Sequence, residues 1–192
     1  MLAFWQSFFL IFVAEMGDKS QLMALAFGSR LPARLVLSGI FIATLLVHLG
    51  SVAIGELLGW ALPTFWIAIA AGVAFIGFGL WTLRGDSLDE NHGAVGKRFG
   101  AFVTVAATFF LAELGDKTML ATVTLASQFQ AFVPVWIGST IGMVVADGLA
   151  IWIGRMAGKQ LPEHVIRYSA AAVFALSGLA TIGDALLSEG II

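Results

Sequence analysis

The chain has 192 residues, of which 59% are hydrophobic and only 11% charged, with a net charge of −2 and a mean hydropathy of +0.96. Soluble domains carry about 25% charged residues, so this composition points to an integral membrane protein. The absence of a basic surface argues against nucleic acid, and the absence of cysteine excludes disulfides, thiolate metal sites and cysteine nucleophiles.

A helix needs about 20 apolar residues to cross a bilayer, and the sequence offers six such stretches. The N-terminus lacks a basic n-region and a clear cleavage site, so it reads as the start of a membrane helix rather than a signal peptide. The predicted spans are Leu2–Gly28, Leu35–Gly59, Pro63–Leu83, Phe99–Ser127, Pro134–Met156 and Val165–Leu187. Pro32, Pro63, Pro134 and Pro162 stand near predicted helix starts, where a missing amide hydrogen costs least. The segment Arg84–Arg98 is the one polar linker. Its Asp86, Asp89, Glu90 and His92 read as a solvated loop rather than a regulatory metal site. The expected architecture is all-α, with a three-helix repeat over residues 1–84, a cytoplasmic linker over 85–98 and a second repeat over 99–192.

Two spans carry the same polar hexapeptide: Glu15-Met16-Gly17-Asp18-Lys19-Ser20 in the first and Glu113-Leu114-Gly115-Asp116-Lys117-Thr118 in the fourth, offset by 98. The halves also align at Ile54–Pro63 and Ile153–Pro162, there with an offset of 99. A repeat with three spans re-enters the membrane in the opposite sense, which makes this an inverted repeat of the kind transporters use. Loop charges agree. Arg30, Arg34, Arg84, Lys97, Arg98, Arg155, Lys159 and Arg167 fall on one predicted side, and the other two basic residues are the motif lysines. The positive-inside rule makes the basic side cytoplasmic and puts both termini outside. Glu56 and Trp60 on the outside align with Arg155 and Lys159 on the inside. Trp60, Trp66, Trp81, Trp136 and Trp152 lie near predicted helix ends, as interfacial anchors do, although packing or lipid contact would place them there equally.

Charged groups at membrane depth are costly and mark function. Glu and Asp three apart share a helix face, so Glu15 with Asp18, and Glu113 with Asp116, are expected to converge. Gly17 and Gly115 permit either close helix approach or a local break. Ser20 and Thr118 add hydroxyls. If both copies meet, four carboxylates suit a hard divalent cation. Against two lysines they leave a net −2, matched by one divalent ion or two protons. Carboxylates crowded at low dielectric favour the neutral form, so protons would compete with metal. The competing structural reading pairs Glu15 with Lys19 and Glu113 with Lys117 within one helix. The lysines would otherwise hold the acids in place or substitute for cation charge. Asp147 in the fifth span aligns with His48 in the second, as a shared functional position such as a proton path, or as satisfied interior groups. Gln21 could supply an amide oxygen, although Met119 stands at its equivalent. Thr44, Ser51 and Thr140 read as helix contacts, and Asp184 as interfacial.

At these residues the chain resembles, over essentially its whole length, the Ca2+:H+ antiporter-2 family. Its members are small membrane proteins marked by two Glu-x-Gly-Asp-(Lys/Arg)-(Ser/Thr) motifs in inverted repeats. The eukaryotic Golgi members are linked to manganese and calcium homeostasis, and bacterial members look like manganese exporters. The resemblance implies Glu15, Asp18, Glu113 and Asp116 as ion ligands, supported by Lys19, Lys117, Ser20 and Thr118. It also implies a bacterial cytoplasmic-membrane exporter of Mn2+ or Ca2+ working against protons by alternating access, and not an enzyme. The alternative is a divalent cation channel with an acidic filter. Inverted copies in one chain argue against it, since acidic rings come from symmetric subunits. Nothing resembles the nucleophile–base pair of a hydrolase.

Overall fold

The structure, a computed structural model, describes residues 1–84, 100–157 and 163–189. The regular structure there is entirely α-helical: α1 (Leu2–Glu15), α2 (Lys19–Arg30), α3 (Ala33–Ala61), α4 (Thr64–Arg84), α5 (Ala101–Glu113), α6 (Lys117–Phe129), α7 (Phe132–Ala157) and α8 (Glu163–Ser188). Pro32 caps α3, Pro63 precedes α4 and Pro134 lies in the first turn of α7. Each proline thus stands where no intrahelical amide bond is lost. Pro162 and the linker residues Asp86, Asp89, Glu90 and His92 lie outside the described residues, as do Lys97, Arg98 and Lys159. Among the described residues, four helices are long and apolar enough to cross a membrane, over Ala33–Ala61, Thr64–Trp81, Phe132–Gly154 and Ala171–Ser188.

The first and fourth expected spans are not continuous helices. Leu2–Gly28 is divided into α1 and α2, and Phe99–Ser127 into α5 and α6, each broken at the motif. The physical reason is a glycine in left-handed conformation at the same place in both, Gly17 with φ +77° and Gly115 with φ +80°. A right-handed helix does not run through that backbone geometry.

Each broken pair packs on the long helix of the other half. α1 lies on α7, α5 on α3, α2 on α7 and α6 on α3. Small residues permit the approach, as expected where lipid supplies no drive for helices to associate. A Cβ on Gly138 or Gly142 would come within 2.5 Å of the Phe4 or Phe8 carbonyl oxygen of α1. A Cβ on Gly39 would meet Val105 of α5 at 2.7 Å.

Residues at equivalent places in the two halves meet each other. Phe75 of α4 and Phe174 of α8, 99 positions apart, have ring centroids 6.2 Å from each other. A Cβ on Gly72 would lie 2.8 Å from the Gly178 carbonyl oxygen, and one on Gly79 would lie 2.9 Å from that of Ala171. Residue numbers therefore fall along α8 as they rise along α4, so these two helices run antiparallel. Thr44 of α3 donates to the sulfur of Met143 of α7 at 3.4 Å, again 99 positions away.

The two halves are not identical in packing. Against α6, Gly55 of α3 faces the Val123 backbone carbonyl. At the end of α6, Gln130 adopts left-handed φ +48°. Its Nε2 reaches the carbonyls of Ser127 at 3.1 Å, Ala126 at 3.3 Å and, on α3, Glu56 at 3.3 Å. In the corresponding α7–α2 contact, Gly154 and Gly28 meet only the side chains of Leu25 and Ile151. Trp60, Trp66 and Trp152 are well exposed, as anchors would be. Trp136 departs from that expectation: its indole donates to the Leu45 carbonyl at 2.9 Å and packs on Phe132.

Gly142→Ala is expected to destabilise the protein by about 1–3 kcal/mol, because its new methyl meets backbone rather than a movable side chain. Gly77→Ala enters open space and is expected to be neutral or to gain up to about 1 kcal/mol. Thermal unfolding of both variants in detergent checks the difference.

Candidate metal centre

Each Glu-x-Gly-Asp quartet forms a β-turn between two helices. Glu15 ends α1, Met16 has φ −64° and ψ 122°, Gly17 follows with positive φ, and Asp18 precedes α2. The Asp18 amide donates to the Glu15 carbonyl at 3.1 Å. The second copy repeats this, with Leu114 at φ −66° and ψ 116° and the Asp116 amide on the Glu113 carbonyl at 3.2 Å. These are the angles of a type II turn, which requires positive φ at its third residue and so favours glycine. The i-to-i+3 spacing of Glu and Asp therefore belongs to a turn. The expectation that each pair shares one helix face is corrected accordingly.

Asp18 and Asp116 occupy the N-cap positions of α2 and α6, yet neither side chain caps its helix. They turn instead toward the other half. Lys117 Nζ lies 3.1 Å from Asp18 Oδ1, and Lys19 Nζ lies 3.1 Å from Asp116 Oδ1. The pairing within one helix, Glu15 with Lys19 and Glu113 with Lys117, is replaced by this crossed arrangement. Each glutamate is held from across its own turn: Ser20 Oγ donates to Glu15 Oε1, and Thr118 Oγ1 to Glu113 Oε2 at 2.8 Å.

All four acids are buried, as is Lys117, while Lys19 is about a quarter exposed (28%). At 3.1 Å and an effective dielectric of about 20, each ion pair gains roughly 5 kcal/mol of gross attraction. Desolvation of each ion costs several kcal/mol in return. Such pairs add little to stability, and their presence at this depth points to function. Glu15 lies within electrostatic range of Glu113, Asp116 and Asp147, and Glu113 within range of Asp18 and Asp147. Among the described residues, no three acids or histidines stand close enough to hold one metal ion together. In this arrangement the expected four-carboxylate grip is not formed, because ammonium groups occupy the two aspartates.

Gln21 bridges the first motif turn and α7. Its Oε1 accepts the Gly17 amide at 2.8 Å and its Nε2 donates to the Ala146 carbonyl at 3.2 Å. Met119, its counterpart, puts its sulfur 3.1 Å from the Gly115 amide. Both residues thus hold a turn. His48 and Asp147 are fully buried, and among the described residues neither ring nitrogen of His48 and neither oxygen of Asp147 has a hydrogen-bond partner. Of the polar residues expected at helix contacts, Thr44 bonds across helices, Ser51 bonds its own helix at Val47, and Thr140 has no partner among the described residues. Sequence reasoning passed over Ser7 and Thr108, both buried and unpartnered among the described residues. Their signal was a hydroxyl in the apolar run ahead of each motif.

A family model described as "Divalent cation/proton antiporter GDT1" matches residues 3–90 and 101–189. Similar proteins include the "Putative manganese exporter" of Vibrio cholerae, 34% identical over 171 residues that cover 88% of this chain and 84% of the relative. The "GDT1-like protein sll0615" of Synechocystis is 29% identical, covering 92% of this chain and 94% of its own. The "GDT1-like protein 4" of Arabidopsis thaliana is 28% identical over 92% and 93%. No solved structure matches. With its four long apolar helices, the chain is an integral membrane protein.

Lys117→Met is expected to destabilise the protein by about 3–5 kcal/mol by leaving Asp18 buried without this ammonium. Adding Asp18→Asn should recover part of that loss, and a double-mutant cycle by thermal unfolding in detergent reads it. Gly115→Ala meets no neighbour within 4 Å and is expected to cost about 1–2 kcal/mol through its left-handed backbone alone, measured in the same way.

Proposed function

The chain belongs to the divalent cation/proton antiporter GDT1 family, and from that premise we propose that it exports Mn2+, or Ca2+, from the cytoplasm in exchange for protons. The observation that carries the reading is the crossed pairing of Lys19 with Asp116 and Lys117 with Asp18. It brings both motifs, one from each half, to one buried place. There four carboxylates and two ammonium groups leave a charge of −2, which one divalent ion or two protons neutralise. Glu15, Asp18, Glu113 and Asp116 are the proposed ligands. Oxygen donors of this kind suit Mn2+ and Ca2+, and the name of the Vibrio cholerae relative favours manganese.

In the proposed cycle the lysines cover the aspartates between ions. An arriving cation draws the carboxylates off the ammonium groups, and protons entering from the outer side displace it. Alternate exposure follows from rocking of the helices that surround the turns.

The membrane arrangement is part of the same proposal. α1 and α2, with 14 and 12 residues, would together rise about 39 Å at 1.5 Å per residue. α5 and α6, with 13 each, would match them. Each pair is then long enough to cross the roughly 30 Å core as one interrupted span, giving six spans in two repeats, 1–84 and 99–192. The antiparallel course of α4 and α8 and the exchange of partners between halves support an inverted relation. The charge of the loops supports cytoplasmic basic segments, with both termini outside, in a bacterial cytoplasmic membrane. Against an acidic channel filter, the two motif aspartates are paired with lysines rather than arrayed in a ring.

In proteoliposomes with an imposed pH gradient, the unsubstituted chain is expected to drive Mn2+ uphill. Glu15→Gln and Glu113→Gln are expected to fall to the rate of protein-free liposomes while remaining monodisperse in detergent. Wild-type flux in both variants would reject the assignment.

A further inference from the structure

α6 and α2 sit unequally on their long partners, and the difference centres on one side chain. Gly55 and Gly59, one turn apart on a face of α3, form a notch that receives α6. A Cβ on Gly55 would lie 2.6 Å from Ala126 and 3.1 Å from the Ser127 amide nitrogen. One on Gly59 would fall on the Gln130 amide itself and 2.6 Å from the Ser127 carbonyl oxygen. The contacts climb α6 as they climb α3, so the two helices run parallel and Gln130 fills the end of the notch. Its Nε2 donates across the interface to the Glu56 carbonyl, as well as to the Ala126 and Ser127 carbonyls of its own helix. The residue does so from a left-handed backbone, φ +48°, which glutamine seldom adopts.

The first half is built differently at this point. α2 has 12 residues where α6 has 13. Leu31, which follows α2, is extended, with φ −124° and ψ 158°, and its side chain has no amide to donate. Gly154, the counterpart of Gly55, meets the side chain of Leu25 rather than helix backbone. Exposure follows the same division. The side chain of Lys117, on α6, is 4% exposed, whereas that of Lys19, on α2, is 28% exposed. The tightly seated helix thus carries the sealed lysine, and the loosely seated one the accessible lysine.

We propose that Gln130 is a latch: by bridging α6 to the Glu56 carbonyl of α3, it holds shut the end of the molecule where these two helices terminate and closes the centre from that side. In the membrane arrangement given under the proposed function, that side is the outer one, so freeing Gln130 is a step in turning the site outward. The inference rests on the alternating-access reading and gives it a named contact that must break. The competing reading makes Gln130 only a cap for the last carbonyls of α6. That reading accounts for the bonds to Ala126 and Ser127 but not for the bond to α3 or for the notch at Gly59.

The chain has no cysteine, so an introduced one is its sole thiol. Ser51 lies one turn before Gly55 on the same face of α3, and Ala150, 99 positions on, is its counterpart on α7; both are buried. The full-length Ser51→Cys and Ala150→Cys chains, in detergent, are labelled with a charged maleimide and the rates compared. Gln130→Gly removes the amide and leaves a residue suited to positive φ. It is expected to speed labelling of Ser51→Cys about 2- to 10-fold, the shift that loss of one hydrogen bond gives, and to slow that of Ala150→Cys. Gly59→Ala presses on the same amide and is expected to act in the same direction, which serves if Gln130→Gly does not fold. An unchanged rate at Ser51→Cys, even with a lowered melting temperature, would overturn the proposal and leave Gln130 a cap. Equal acceleration at both positions would overturn it too, as general loosening. Mn2+ flux by the unsubstituted chain in proteoliposomes is measured alongside. Its absence would reject the exchanger reading, while reciprocal labelling would still establish the latch.

Discussion

The structure depends on keeping charge inside an apolar layer, and it does so by pairing across the molecule. Asp18 meets Lys117 and Asp116 meets Lys19, each contact joining the first half to the second. A half folded alone would bury an aspartate and a lysine without these partners, at a cost of several kcal/mol for each ion. Docking of the two halves and pairing of the two aspartates with the two lysines are therefore one event. The small residues on α3 and α7 and the helix pair α4–α8 supply the close packing that holds this centre in place.

Every position of the hexapeptide has a geometric task in that arrangement. Glutamate closes one helix, the variable residue takes an extended conformation, and glycine reverses the hand of the backbone. Aspartate opens the next helix and points its carboxylate away from it. Lysine, one residue further, reaches to the opposite aspartate. The hydroxyl of Ser20 or Thr118 reaches back to the glutamate. The result places acids at the meeting ends of two short helices, where the α2 and α6 N-termini also favour negative charge.

Hydropathy made the helices legible, because apolar runs of span length have few other fates. The doubled hexapeptide also foretold that the two motifs meet, as their crossed ion pairs show. The breaks at Gly17 and Gly115 were open to either of two readings, since hydropathy does not report backbone hand. The spacing of Glu15 and Asp18 was misleading for a related reason: three residues is both the repeat of a helix face and the span of a β-turn. Partnership of the lysines was hidden because local spacing favours a neighbour on the same helix, while the actual partners lie about a hundred residues away. The bond of Gln21 to the Gly17 amide was not foreseen, because that amide becomes available only once the helix is broken.

The unequal seating of the two short helices on their long partners has a further consequence. α6 meets α3 backbone against backbone and is fastened there by Gln130, whereas α2 meets α7 through side chains. Two copies of one design are thus held in different postures at the same moment. On the proposed cycle, the state facing the other compartment needs no new architecture. In that proposal the opposite state would arise by each copy taking the seating now held by its twin.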